Sequence, residues 1–242
     1  MNNSQIYFHN FDSVDRKKKS ILFIPGAGMD HRFVRALNLP DADYNEPLVI
    51  DLPGHGNSAG SSSNSIESYS QFLVDALEQF DLNNLVLCGH SMGGLIALDM
   101  VINQDYCAKS LLLLNSIYPT RVSEVLISKA KAGNGHAADF IIKYGLHKRL
   151  IGMKNIFPQE KALIMLGDLE ACNNYQLNLK NLENLELPIS IILGSKDKLV
   201  DLKEVDNFTD QVPSKTYIID EVGHFPFFED PDELSKLIVS LV

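Results

Sequence analysis

The stretch Leu85-Val86-Leu87-Cys88-Gly89-His90-Ser91-Met92-Gly93-Gly94-Leu95-Ile96-Ala97-Leu98 decides the fold. An apolar run of strand length leads into the pattern G-x-S-x-G, and a largely apolar run of helical length follows it. The reading is a strand, a sharp turn and a helix, with Ser91 at the apex. Small residues are needed on both sides of the serine, because bulk at Gly89 or Gly93 would clash with the neighbouring strand or helix. The serine hydroxyl then stands clear of the sheet at a helix N-terminus, where unpaired backbone N–H groups stabilise negative charge.

Working outward, apolar runs and helical patterns alternate after residue 20, which predicts an α/β fold: a mostly parallel central sheet with helices on both faces. The predicted strands are Ile21-Leu22-Phe23-Ile24, Leu48-Val49-Ile50-Asp51, Leu85 to Cys88, Leu111 to Leu114, Pro188 to Gly194 and Thr216 to Ile219. Helices are expected near His31 to Leu39, over Ile66 to Phe80 with Ser65 as N-cap, over Leu95 to Ile102, around Leu202 to Phe208 and from Asp232 to Leu241. Between about 117 and 186 the alternation stops, and helical patterns follow one another: Val122 to Ala132, Ala137 to Leu150 and Gln159 to Asn173. This segment reads as an inserted helical cap on a core of residues 1–116 and 187–242. Gln5 to His9 reads as a short strand with little room for an opening hairpin.

A serine hydroxyl needs a base within hydrogen-bond reach, and that base needs an orienting acid. Asp197, in Gly194-Ser195-Lys196-Asp197, and His224, in Val222-Gly223-His224-Phe225, each follow a predicted parallel strand. Such strands end on one sheet edge, so residues 91, 197 and 224 converge there in the chain order Ser, Asp, His. Met92, directly after the serine, and Ala27, in Pro25-Gly26-Ala27-Gly28, are the expected backbone donors to a tetrahedral oxyanion. Asp168, Asp201 and Asp220 are rivals for the acid, and Asp201 fits better as the cap of the helix after it. His55 and His90 read as structural, His136 and His147 as cap residues. Met153, Ile156, Phe157, Leu163 and Met165 read as cap core with some prospect of lining a pocket.

Five blocks in order carry a family resemblance: Pro25-Gly26-Ala27-Gly28, Asp51-Leu52-Pro53-Gly54-His55-Gly56-Asn57-Ser58, Gly89-His90-Ser91-Met92-Gly93-Gly94, Gly194-Ser195-Lys196-Asp197 and Gly223-His224-Phe225. With them the chain resembles the capped, single-domain branch of the α/β-hydrolase superfamily. Many relatives carry His-Gly where this chain has Pro25-Gly26; a backbone donor survives that change. The resemblance implies a cofactor-independent serine hydrolase of a small or medium carboxylic ester or thioester. The same triad also serves a lyase of menaquinone biosynthesis, which would want arginines near the site (Arg32, Arg35, Arg121 and Arg149 are available), as well as amide and C–C hydrolases. A ligand receptor on the same scaffold is a further, non-enzymatic reading. Ser91 argues against the aspartate-nucleophile dehalogenases and epoxide hydrolases.

Composition narrows the partners. The chain of 242 residues is 45% hydrophobic and carries a formal net charge of −10. That balance disfavours nucleic-acid or anionic-membrane binding, and the one basic run, Arg16-Lys17-Lys18-Lys19, reads as a solvated loop. Cys88, Cys107 and Cys172 have neither metal nor disulfide spacing. No apolar run reaches membrane-spanning length and the N-terminus has no signal-peptide pattern, so the expectation is a cytoplasmic enzyme with no cofactor and no metal.

Overall fold

A computed structural model describes residues 6–40, 42–80, 82, 85–157, 162–182 and 185–242. Among these the order is β1 (Phe8–His9), β2 (Ile21–Ile24), β3 (Val49–Ile50), α1 (Ile66–Leu77), β4 (Val86–His90), α2 (Met92–Ile102), β5 (Ser110–Leu114), α3 (Glu124–Ala132), α4 (His136–Gly145), α5 (Ala162–Asn174), β6 (Ile189–Gly194), α6 (Leu202–Thr209), β7 (Lys215–Ile219), α7 (Pro226–Glu229) and α8 (Pro231–Leu241). The main sheet runs β2-β4-β5-β6-β7, all parallel. β1 pairs antiparallel with β3, and β3 meets β2 where the Phe23 N–H donates to the Leu48 carbonyl at 2.8 Å.

The central strands are largely apolar because both of their faces are buried. Leu22, Leu87, Leu111, Leu113 and Ile191 pack on one side, with residues of α1, α2 and α6. Phe23, Val86, Cys88, Leu112 and Ile192 pack on the other, with α8 and parts of α3 and α4. β7 is the edge strand: only Ile219 of its five residues is buried. In α1 the buried side chains Ile66, Tyr69, Leu73, Ala76 and Leu77 recur at helical spacing, and the Ser65 hydroxyl accepts from the Ser68 N–H at 3.2 Å. Such a cap contributes about 1 kcal/mol. α2 is buried on nearly every side, which explains why its sequence shows no polar stripe.

The register aligns the functional edge. Ile24 lies beside Gly89, His90 beside Leu114, Leu114 beside Ile192, and Gly194 beside Ile219. The carboxyl ends of β2, β4, β5, β6 and β7 therefore form one rim.

The structure departs from the sequence expectations at several elements. The helix expected over His31 to Leu39 is one 3-10 turn, His31–Val34. Asp30 caps it, and the chain then turns toward Pro40, which disfavours helical geometry at Leu39. α4 stops at Gly145 instead of Leu150. The backbone groups a further turn would use are engaged elsewhere: the Gly145 carbonyl accepts from the His224 N–H at 2.6 Å, and the His147 and Lys148 N–H groups donate to Glu229, each at 2.9 Å. α2 begins at Met92 rather than Leu95, because close packing outweighs the poor helix propensity of Gly93 and Gly94. The start expected for the helix at Gln159, and Gln5 of the first strand, lie outside the described residues. Between β5 and β6 the described chain holds helices and turns and no strand.

Candidate active site

Ser91 sits between β4 and α2 with φ 51° and ψ −118°. A non-glycine residue at positive φ costs on the order of 1–3 kcal/mol. The surrounding backbone holds it there: the Ser91 N–H donates to the Leu114 carbonyl at 3.0 Å, and the Ser91 carbonyl accepts from the Gly94 N–H at 2.9 Å and the Ser116 hydroxyl at 2.7 Å. Close approach accounts for the two glycines. A Cβ on Gly89 would overlap the Gly93 carbonyl, and one on Gly93 would overlap the Ile24 carbonyl of β2. Although Ser91 occupies the N-cap position of α2, its hydroxyl does not cap the helix.

His224 lies beyond β7 and Asp197 beyond β6. His224 Nδ1 is 2.7 Å from Asp197 Oδ2, and both side chains are buried. Asp197 Oδ1 accepts from the Leu199 N–H at 2.7 Å, while Oδ2 also accepts from the Asn115 amide at 2.7 Å. Burial alone would raise the Asp197 pKa. The charge of His224, its hydrogen bond and those from Asn115 and Leu199 outweigh that burial and hold the carboxyl below its ordinary value. The imidazole thus faces an ionised carboxylate at Nδ1, which leaves Nε2 as the nitrogen for proton exchange.

Ser91 and His224 line one cavity of about 400 Å³, within the size range of small-molecule sites. Gly26 and Ala27 form part of its floor; Val122, Leu126, Phe140, Ile141, Tyr144 and Phe157 form apolar walls. The N–H groups of Ala27 and Met92 have no hydrogen-bond partner among the described residues. Met92 itself turns into the core, and its side chain is not among the lining residues. Of the five apolar residues singled out between 117 and 186, Phe157 lines the cavity. Met153 and Met165 are buried in the core, Ile156 is partly buried and Leu163 is exposed.

The rivals have other duties. Asp201 caps α6 through the Lys203 N–H at 3.0 Å, and Asp220 accepts from Ser195 at the surface. Asp168 is fully buried in a network described below. His90 donates from Nε2 to the His224 carbonyl at 2.8 Å; burial first, then the positive charge of His224, lowers its pKa to about 3. His147 lies at the surface, 3.0 Å from Glu221. No group of three or more His, Cys, Asp or Glu side chains with metal-holding geometry occurs among the described residues, and no described helix is long and apolar enough to cross a membrane.

Two residues that the sequence reading passed over hold the acid–base pair. Asn115 follows β5, and its amide bridges Asp197 and the Gly223 carbonyl. A polar residue directly after an apolar strand, on the same rim as Asp197, was the available signal. Glu229 is buried and accepts from the Gly223 N–H at 3.0 Å as well as from His147 and Lys148. Nothing in its local sequence marks it.

The model of the alpha/beta hydrolase family matches residues 21–237, and the chain belongs to that family. It is accordingly an enzyme of the hydrolase class. A Mycoplasma genitalium protein described as an esterase/lipase is 26% identical over 250 aligned positions, covering 95% of this chain and 91% of the relative. The pimeloyl-(acyl-carrier protein) methyl ester esterase of Aromatoleum aromaticum is 23% identical over 218 positions, covering 79% of this chain and 85% of that one. Among solved structures, a thermophilic esterase shares the fold with a TM-score of 0.81 at 20% identity, over 98% of this chain and 96% of its own.

Proposed function

We propose that the chain hydrolyses a small or medium carboxylic ester or thioester through an acyl-enzyme on Ser91. His224 takes the serine proton at Nε2 as Ser91 Oγ attacks the carbonyl carbon, and Asp197 fixes the ring and stabilises the imidazolium. The tetrahedral oxyanion is held by the N–H groups of Met92 and Ala27. Its collapse breaks the bond to the leaving alcohol or thiol, which receives the proton from His224. Water then attacks the acyl carbon with His224 again as base, and the released acid leaves Ser91 free.

The observation that carries the reading is the buried Asp197–His224 pair opening onto the same cavity as the uncapped Ser91 hydroxyl. Esterase names among the relatives favour an ester over an amide substrate. In this reading, residues 117–186 are a cap over a core of 1–116 and 187–242, and the substrate's apolar part lies under α3 and α4. The polyanion-handling lyase receives less support. Of its four candidate arginines only Arg121 lines the cavity, with its guanidinium largely exposed and 3.7 Å from Glu204; Arg32 is paired with Asp30.

Ser91→Ala is expected to lower aryl-ester turnover by about 10⁴-fold or more with the melting temperature kept. A fluorophosphonate should label Ser91 in the wild type. Mapping of the label to another residue, or near-normal turnover in the variant, removes Ser91 as nucleophile.

A further inference from the structure

Outside the acid–base pair, Asp168 is a buried carboxylate with three partners that touches the site's loops. It is carried by α5, between β5 and β6, and is 0% exposed. Its Oδ2 accepts from the Gly28 N–H at 2.7 Å and lies 2.8 Å from His55 Nε2; its Oδ1 accepts from the Tyr69 hydroxyl at 2.6 Å. Gly28 directly follows Ala27, so the carboxylate grips the loop that lines the floor of the cavity. Gly28 has φ +70°, and a Cβ there would strike the end of the Met165 side chain. Met165 and Asp168 are three apart and share one face of α5. The next residues along that face, Leu169 and Cys172, line the cavity. One helix face therefore walls the cavity, packs on the loop and bonds its backbone.

Resting on the ester reading above, we infer that Asp168 is a positioning residue: it holds the Gly26–Gly28 loop so that the neighbouring Ala27 N–H faces the oxyanion. The physical argument is geometric. Oxyanion stabilisation needs a donor fixed at about 2.7–3.1 Å from where the negative charge develops, and a displacement of about 1 Å costs on the order of 10²-fold. The loop is short and glycine-rich, so it depends on outside partners for rigidity. Asp168 supplies a charged acceptor, which makes the stronger kind of hydrogen bond. Because that acceptor is on α5, seating the helical segment also sets the oxyanion site.

Tyr69 separates this role from a merely structural one. Its hydroxyl belongs to the same buried network and also accepts from the Ser63 N–H at 2.8 Å, but among the described residues it makes no hydrogen bond to the loop. The experiment compares Asp168→Asn, Asp168→Ala and Tyr69→Phe for kcat, KM, melting temperature and amide hydrogen exchange of the peptide spanning residues 25–30. Asp168→Ala is expected to lower kcat by about 10²-fold and Asp168→Asn by roughly 10-fold, with KM within about 3-fold and faster exchange in the loop. Tyr69→Phe should lower stability comparably yet keep kcat within about 3-fold and the loop protected. If Asp168→Ala does not fold, Asp168→Asn, of nearly equal volume, carries the test. Equal kcat losses in Asp168→Asn and Tyr69→Phe, or unchanged loop exchange in the Asp168 variants, overturn the positioning role. A wild type that neither turns over an aryl ester nor takes fluorophosphonate at Ser91 overturns the ester reading itself, and is recognised before any variant is compared.

Discussion

The turn that carries Ser91 and the loops that carry Asp197 and His224 meet at one rim and are both closely packed, but they differ in how far they lean on side chains from distant parts of the chain. The serine turn is fixed by exclusion: strand, turn and helix approach so closely that Gly89 and Gly93 have no room for a Cβ. The acid and base loops share that exclusion, since a Cβ on Gly194 would overlap the Gly223 carbonyl and one on Gly223 the Gly145 carbonyl. They rest in addition on directed bonds from distant groups, with Asn115 on Asp197 and the Gly145 carbonyl and Glu229 on the Gly223–His224 backbone. Steric exclusion is all-or-none, because packed backbone cannot yield by a fraction of a bond length without moving a whole element. Directed bonds can be removed one at a time, each at a graded cost.

The steric side should break hardest. Gly89→Ala adds one carbon against the Gly93 backbone, with an expected cost of about 3 kcal/mol or more. In a chain of this size that is a fall of melting temperature on the order of 6–12 °C, and turnover should drop with it. A variant with wild-type melting behaviour would show that the turn has slack. On the bonded side, Asn115→Ala removes one charge-assisted bond from Asp197, worth about 1.5–3 kcal/mol. It should lower kcat by roughly 10- to 10²-fold and the melting temperature by several degrees; a fall in melting temperature with kcat unchanged would place Asn115 with the scaffold.

The smallest effect at neutral pH is expected from His90→Gln, which touches both sides. Its ring is held neutral in the fold, with a pKa lowered from 6.5 to about 3. The unfolded chain therefore binds a proton that the native chain refuses, and stability falls as the pH drops below 6.5 toward the folded value. The slope is about 1.4 kcal/mol per pH unit for one such group. Denaturant titrations from pH 7 to pH 4 should show that slope reduced in the variant; an unchanged slope would assign the acid sensitivity to other groups.

The same contrast explains what could be read from the chain. Exclusion leaves a local signature, since it demands small residues at fixed offsets. Gly89, Ser91 and Gly93 therefore announce the turn, and the alternating apolar runs announce the strands that place Asp197 and His224. Directed bonds leave no such signature. Asn115 lies 82 positions from Asp197, and Glu229 reaches back 82 to His147. Asp168 was visible as an acidic residue, but its partners, Gly28, His55 and Tyr69, are about 100 positions or more away. The end of α4 is illegible for the same reason: the helix stops at Gly145 because distant groups claim the backbone beyond it.

Glu229 has a consequence for exchanging parts between relatives. Toward the segment after β5 its carboxylate binds the backbone N–H groups of His147 and Lys148, its own carbonyl accepts from Lys148 Nζ at 3.1 Å, and the Gly145 carbonyl accepts from the His224 N–H. Any amino acid except proline supplies such an N–H at those two positions. Beyond a glycine at 145, where a Cβ would press on Phe225, and the Lys148 ammonium on the Glu229 carbonyl, this joint asks little of side chains, so a transplanted segment of matching length that keeps them could dock there with different wall residues. The joint at Asp168 has the opposite logic, since the donor segment must bring its own carboxylate. A graft that kept Asp168, Gly145 and the loop length would preserve both joints while the residues that wall the cavity diverge.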